Sequence, residues 1–365
     1  MTSTAKIAFL GSELDPDERE PALAQKLASL GATPPSPYQS VLAHIRREVD
    51  PSLWRELGQA PAPAWLTPCP PPGQAGALSV EDMVGFIDAD GCRRAAEEVG
   101  ALAETAGEDI PCLLAVDHSL AGGVIAAVSR RLGPENLSVV VADAHTDAIP
   151  MGAVAGAVAY DLENNPNSLY DPADPFLRGR PDSYNASSFL HHLLAQGVVP
   201  PGNLYLLGVA DWPPKKALRL KDPRMKAYTG AYTGLKKRGV GVATRAELAA
   251  GPAKLTALLG RVKTPWLYVS LDLDVGAGAA TEAVRFNDRL GLNRAGLLKL
   301  AWALRRVIEG GARLAGLDLC EINPRHPGRE QAARLAADLI EIIAFGQQPP
   351  DATMGPAGGG PRGEA

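Results

Sequence analysis

Six short apolar runs recur along the chain: residues 6–10 (KIAFL), 113–116 (LLAV), 138–142 (SVVVA), 204–207 (LYLL), 266–271 (WLYVSL) and 316–319 (GLDL). They are continuous rather than alternating, which is the pattern of strands covered on both faces. Helix candidates lie between them at 119–132, 188–196, 294–309 and 328–345. In the third, Ala295, Leu298, Ala301, Trp302 and Arg305 share the spacing of one amphipathic face. Strands alternating with helices predict an α/β fold with a mostly parallel central sheet.

Three stretches break this pattern. Residues 61–75 (PAPAWLTPCPPPGQA) hold too many prolines for a helix or an inner strand. Residues 162–185, rich in Asn, Pro, Asp and Gly, predict a long surface excursion. Residues 347–365 carry no pattern able to bury a core and are expected to form a disordered tail. Without an internal repeat or a strong boundary, residues 1–346 are expected to form a single domain.

Composition narrows the function classes. The 365 residues are 46% hydrophobic, enough for a substantial core, and the formal net charge is −5. That balance offers no electrostatic footprint for nucleic acid or an anionic membrane. No apolar run reaches the roughly 20 residues needed to span a bilayer. The first residues, MTSTAKIAFLGSELDPDERE, show no secretory signal pattern. Cys69, Cys92, Cys112 and Cys320 are widely spaced and read as unpaired thiols of a reducing cytosol, so the expected location is cytoplasmic.

The chemistry is concentrated just past three of the apolar runs, and ligands of parallel sheets bind at the carboxyl ends of strands. LLAV leads into Asp117-His118-Ser119, SVVVA into Asp143-Ala144-His145-Thr146-Asp147, and WLYVSL into Asp272-Leu273-Asp274. Side chains of extended segments alternate with period two, so Asp143, His145 and Asp147 start on one side of the backbone, as do Asp272 and Asp274. Taken singly, a D-x-D after a strand is more often a turn or helix cap, and Ser119 could be an N-cap. Taken together, two imidazoles and four carboxylates suit two divalent ions about 3.5–4 Å apart, bridged by a water. Clustered carboxylates are unfavourable without such cations. Oxygen-rich, thiolate-free ligation favours two Mn²⁺, with Co²⁺, Ni²⁺ and Fe²⁺ as alternatives.

The ordered motifs V-D-H-S, D-A-H-T-D and S-L-D-L-D resemble the signatures of the arginase, agmatinase and formimidoylglutamase (ureohydrolase) family. The segment 316–324, GLDLCEINP, is similar to that family's G-x-D-x-x-E-x-N-P strand end. The resemblance covers roughly residues 113–345 and implies a three-layer α/β/α sandwich, here a single arginase-like catalytic domain, in a homo-oligomer. It implies that His118 and Asp147 ligate one Mn²⁺ and His145 the other, with Asp143, Asp272 and Asp274 ligating or bridging. It also implies that Glu321 pairs with a guanidinium or amidinium group. Such pairing would be bidentate and would orient the substrate carbon. Asp318 reads as a supporting carboxylate behind the ligands. The implied reaction is hydrolysis of a guanidino or amidino C–N bond by a metal-bridging hydroxide, with Asp147 carrying a proton to the leaving amine. Urea or an amide would leave with an amine, and the substrate would be a small molecule or an arginine within a peptide.

Three departures bear on the substrate. The family's x-x-D-P turn and following loop are replaced by Val275-Gly276-Ala277-Gly278-Ala279-Ala280 and Arg285-Phe286-Asn287-Asp288, which points to a remodelled pocket. Arg285 is a candidate for a substrate carboxylate, against the plainer reading of an exposed structural arginine. The family's H-G histidine has no counterpart near Asn185, the nearest equivalent and a candidate substrate contact; His191 and His192 fall in a helical stretch. Ala115-Val116 replace paired glycines before His118, with less backbone freedom there. Two other classes compete: a metal-dependent amide hydrolase (deacetylase) on the same fold, and a non-catalytic metal-binding relative. The complete ligand set and Glu321 weigh against both.

Overall fold

The apolar runs assemble into one eight-stranded, wholly parallel sheet in a computed structural model that describes residues 5–287 and 290–348. The strands are β1 (Ile7–Ser12), β2 (Trp54–Gln59), β3 (Ile110–Ala115), β4 (Leu137–Ala142), β5 (Leu204–Val209), β6 (Gly241–Thr244), β7 (Trp266–Asp272) and β8 (Arg313–Cys320). Their order across the sheet is β2-β1-β3-β8-β7-β4-β5-β6. Each of the six predicted runs falls on a strand. The two edge strands were not foreseen, for physical reasons. Strand β2 (WRELGQ) is polar and half-exposed, and β6 (GVAT) has only four residues, so neither shows a buried run.

Both faces of the sheet are covered, which explains why the strand runs are apolar without alternation. Along β4, Val140 and Ala142 pack under the helices Pro37–Glu48, Arg294–Glu309 and Arg329–Ile340. Val139 and Val141 face the opposite layer, which includes Gly91–Glu104, Ala121–Leu132, Phe189–Ala195 and Pro223–Lys237. The result is the expected three-layer α/β/α sandwich. The helix Arg294–Glu309 has its predicted limits, and the last candidate splits into an α-helix, Arg329–Ile340, and a π-helical turn, Glu341–Phe345.

Several helices were missed, including Pro37–Glu48, Gly91–Glu104, Met151–Asn164 and Pro223–Lys237. Met151–Asn164 overlaps the start of the predicted excursion; beyond it, residues up to 185 hold only a 3₁₀ turn at Pro175–Arg178. The proline-rich stretch carries 3₁₀ turns, with neither α-helix nor strand. Of the predicted tail, all but residues 347–348 lies outside the described residues, as does Asp288.

The helix leaving the His118 segment is held close to its neighbour. At Gly123 a side-chain Cβ would stand 1.7 Å from the carbonyl oxygen of Ala96, so only glycine allows this approach of Ala121–Leu132 to Gly91–Glu104.

Candidate metal centre

The central four strands, β3-β8-β7-β4, are neighbours, and their carboxyl ends bring the predicted residues to one place. Asp117 and His118 follow β3, Asp143–Asp147 follow β4, Asp272 and Asp274 lie at the end of β7, and Glu321 follows β8. Two sets of side chains offer ligand atoms within 4.8 Å of one another: His118, Asp143, Asp147 and Asp272, and Asp143, His145 and Asp274. Asp143 belongs to both sets, which is the arrangement a bridging carboxylate requires.

Distances make the clustering concrete. His118 Nδ1 lies 3.4 Å from Asp143 Oδ2, 3.2 Å from Asp147 Oδ2 and 3.2 Å from Asp272 Oδ2. His145 Nδ1 lies 2.8 Å from Asp274 Oδ2 and 3.6 Å from Asp143 Oδ1. His118 and the four aspartates are buried, while His145 is partly exposed.

On its far side, His118 Nε2 is 2.9 Å from Ser270 Oγ, and Ser270 Oγ is 2.9 Å from Asp318 Oδ1. A carboxylate can only accept, so the serine donates its proton to Asp318 and receives one from Nε2–H. That turns Nδ1 inward toward three carboxyl groups, where retained protons or a cation must lie between the acceptors, and neutral imidazole Nδ1 is then free to act as a metal ligand. Asp143 Oδ2, buried without a hydrogen-bond partner, supports the same reading.

The electrostatics agree. Burial pushes the Asp147 and Asp272 carboxyls well up, and neighbouring carboxylates (Asp143 for the first, Asp274 and Asp143 for the second) push further. Burial acts against protonated His118, yet Asp143, Asp147 and Asp272 outweigh it and raise the imidazole well above its usual value. Without a cation the cluster thus retains protons to offset its charge; divalent ions would displace them.

Backbone strain marks the same place. Among the described residues, three non-glycine positions have positive φ, and two are Asp147 (47°) and Glu321 (71°). The Asp147 carbonyl accepts from the amides of Leu190 and His191, so the start of helix Phe189–Ala195 fixes that conformation. Glu321 N donates to Val116 O, and Glu321 Oε1 accepts from the His118 amide at 3.0 Å.

The candidate substrate contacts look different from their sequence reading. Arg285 is neither exposed nor available to a substrate carboxylate. Its side chain is buried, with Nη1 3.0 Å from Glu321 Oε1 and 2.9 Å from Asp117 Oδ2, and Nε 2.9 Å from Asp15 Oδ1. Asn185 is buried and turned inward: its Oδ1 accepts from Ser187 and Ser188, and its Nδ2 donates to Met151 Sδ, at the entry to helix Phe189–Ala195. His191 and His192 lie on that helix as expected; His191 pairs with Asp182, and His192 packs on Tyr184. Asp117, not Ser119, caps the turn at His118 by accepting from the Ser119 amide. The replaced loop does reach the site: Phe286 stands edge-on to His145 with ring centroids 6.0 Å apart.

Sequence reading missed Ser270, hidden as one polar residue in an apolar strand, and Asp15, which reaches the site from a loop after β1. Ser270 could have been found from strand alternation, because it shares a sheet face with Asp272. Nothing in the sequence ties Asp15 to Arg285, 270 residues away.

A parallel α/β/α sandwich with a buried His/Asp cluster at its carboxyl pole defines a class with known members. The sequence pattern of the Arginase family matches residues 73–346, and the chain belongs to that family. It is 26% identical over 247 residues to an arginase of Agrobacterium fabrum; the match spans 66% of this chain and 65% of the relative. The fold superposes on the arginase of Bacillus caldovelox with a TM-score of 0.60 at 18% identity, covering 94% of this chain and 99% of that one. The formimidoylglutamase of Bacillus subtilis gives a TM-score of 0.56 at 16% identity, covering 93% and 86%. At such identities the superpositions establish the fold.

Proposed function

We propose that this protein is a dinuclear metal hydrolase that cleaves a C–N bond of a guanidino or amidino substrate, releasing urea or an amide together with an amine. The observation that carries the reading is the pair of ligand sets sharing Asp143. His118, Asp143, Asp147 and Asp272 would hold one ion, and Asp143, His145 and Asp274 the other. The donors are imidazole and carboxylate only, which favours Mn²⁺, with Co²⁺, Ni²⁺ and Fe²⁺ as alternatives. When bound, the ions supply Lewis acidity and a water nucleophile usable at neutral pH.

The chain's own groups do the rest. Ser270 and Asp318 hold His118 in the tautomer that turns Nδ1 inward. Asp147, a buried carboxylate placed beside the ligand cluster, takes up a proton and delivers it to the leaving amine. Glu321 offers Oε2, buried and without a protein partner, to an N–H of the substrate. Burial of these groups excludes water and strengthens each of these interactions.

Residues 1–346 would act as a single catalytic domain in a homo-oligomer. No helix of the described residues is long and apolar enough to cross a membrane. The four cysteines are unpaired, which supports a cytoplasmic setting.

Amide hydrolysis on the same fold is the second reading, favoured by the engagement of Glu321 with Arg285. A product screen separates the two. The Mn²⁺-loaded protein is assayed for urea, formamide and ammonia release over arginine, agmatine, guanidinobutyrate, guanidinopropionate, formimidoylglutamate and arginine peptides. Simple amides are assayed in parallel. Release from any guanidine or amidine supports the first reading, and release from amides alone supports the second. No product from either class would overturn both.

A further inference from the structure

Glu321 stands beside the ligand cluster, yet its charge is already answered within the chain. Asp15, Asp117 and Glu321 surround the Arg285 guanidinium, with contacts of 2.9, 2.9 and 3.0 Å. Asp15 also meets Lys26 Nζ at 3.0 Å and Arg325 Nη1 at 3.1 Å. Three carboxylates thus face three cations, and their side chains are buried or nearly so. Glu321 therefore shares its charge with a cation that the chain itself supplies.

Geometry restricts Glu321 further. Its Oε1 takes both Arg285 Nη1 and the His118 amide, leaving only Oε2. A planar guanidinium is recognised most strongly by both oxygens of a carboxylate in a fork-to-fork pair. That mode is closed here, and a guanidinium cation on Oε2 would sit against Arg285 in a buried, weakly screened setting. Arg285 is also firmly held: its backbone N–H donates to Glu321 O, and its carbonyl accepts from Arg19 Nη2.

We propose that Asp15, Asp117 and Glu321 form a guanidinium cage which this chain fills with its own Arg285, so that the substrate group meeting Glu321 is uncharged. Within the guanidino and amidino class proposed above, this selects neutral members such as acylated guanidines, so arginine, agmatine and other simple alkylguanidinium ions should be poor substrates. The substrate half rests on the hydrolase reading above, whereas the cage does not.

The test uses guanidinium chloride as the probe and thermal stability as the readout. Arg285→Ala vacates the cage. Millimolar guanidinium should raise its Tm by about 2 °C at roughly ten times the dissociation constant. Equal sodium chloride or urea should not, and wild-type protein should not respond to guanidinium. A folded Arg285→Ala protein with no guanidinium-specific rise would overturn the cage. Wild-type protein keeps the idea exposed even if that variant does not fold. Stabilisation of the wild type by guanidinium, lost on Glu321→Gln, would show that Glu321 is open to external cations and would overturn the proposal. Because neither readout depends on turnover, failure of the hydrolase reading appears separately, in the product screen.

Discussion

Ser270 Oγ lies 2.9 Å from Nε2 of His118 and carries that contact on to Asp318. The serine sits within β7 on a strand interior, so its only service to the site is to orient the imidazole. Ser270→Ala should keep the fold and weaken Mn²⁺ binding about 10- to 100-fold. Competition with a chelator dye on the purified variant reads this directly, and an unchanged affinity would show that His118 does not depend on its rear contact.

Asp147 is the carboxylate that joins ligand and proton-transfer duties in this account. Asp147→Asn keeps an oxygen donor but removes the titrating group, so turnover should fall by about 10²- to 10⁴-fold while metal content falls much less. Measuring metal content and kcat on the same preparation decides the point. Equal loss of both would reduce Asp147 to a ligand only.

A pH effect is expected well away from the metal cluster. Burial, with Glu48 and then Asp338 against the pull of Arg334, raises Glu341 to about 7, above its ordinary 4.5. The folded protein therefore binds this proton more tightly than the unfolded chain does. The resulting stabilisation is complete below about pH 4.5 and is lost as pH rises through about 7. Glu341→Gln, which stays neutral, should gain in Tm relative to wild type as pH goes from 4.5 to 8. A Tm difference that is flat or falls with pH would contradict the assignment.

The helix that follows His118 depends on Gly123. Adding a methyl group there places carbon 1.7 Å from a backbone oxygen, which no rotamer change can relieve. Gly123→Ala should cost about 1–3 kcal/mol or more. Urea unfolding measures the cost, and a loss below about 0.5 kcal/mol would mean the two helices separate easily.

Much of the molecule was legible in the sequence because the sheet is buried on both faces. Strand β4 (LSVVVA) and strand β7 (WLYVSLD) announce themselves as apolar runs, and the ligand motifs stand directly after them. The edges were not legible, since β2 and β6 lack that double burial. Helices such as Gly91–Glu104, rich in alanine, glycine and charge, show weaker periodicity than Arg294–Glu309. At the site, local spacing was enough to group His118, Asp143, His145, Asp147, Asp272 and Asp274 as candidates. It could not foresee Arg285 between Glu321 and Asp15, because those pairings are made by segments after β7, β8 and β1 meeting at the sheet's carboxyl pole. A charged residue in a glycine- and alanine-rich loop reads as exposed until its partners are known.

The most direct test of the account is the metal content of the full-length protein. After loading with Mn²⁺ and removal of excess, elemental analysis should find two ions per chain, and His118→Ala and His145→Ala should each lower that number. One ion or none in the wild-type protein, under conditions where it is folded, would contradict the dinuclear centre on which the proposed chemistry stands.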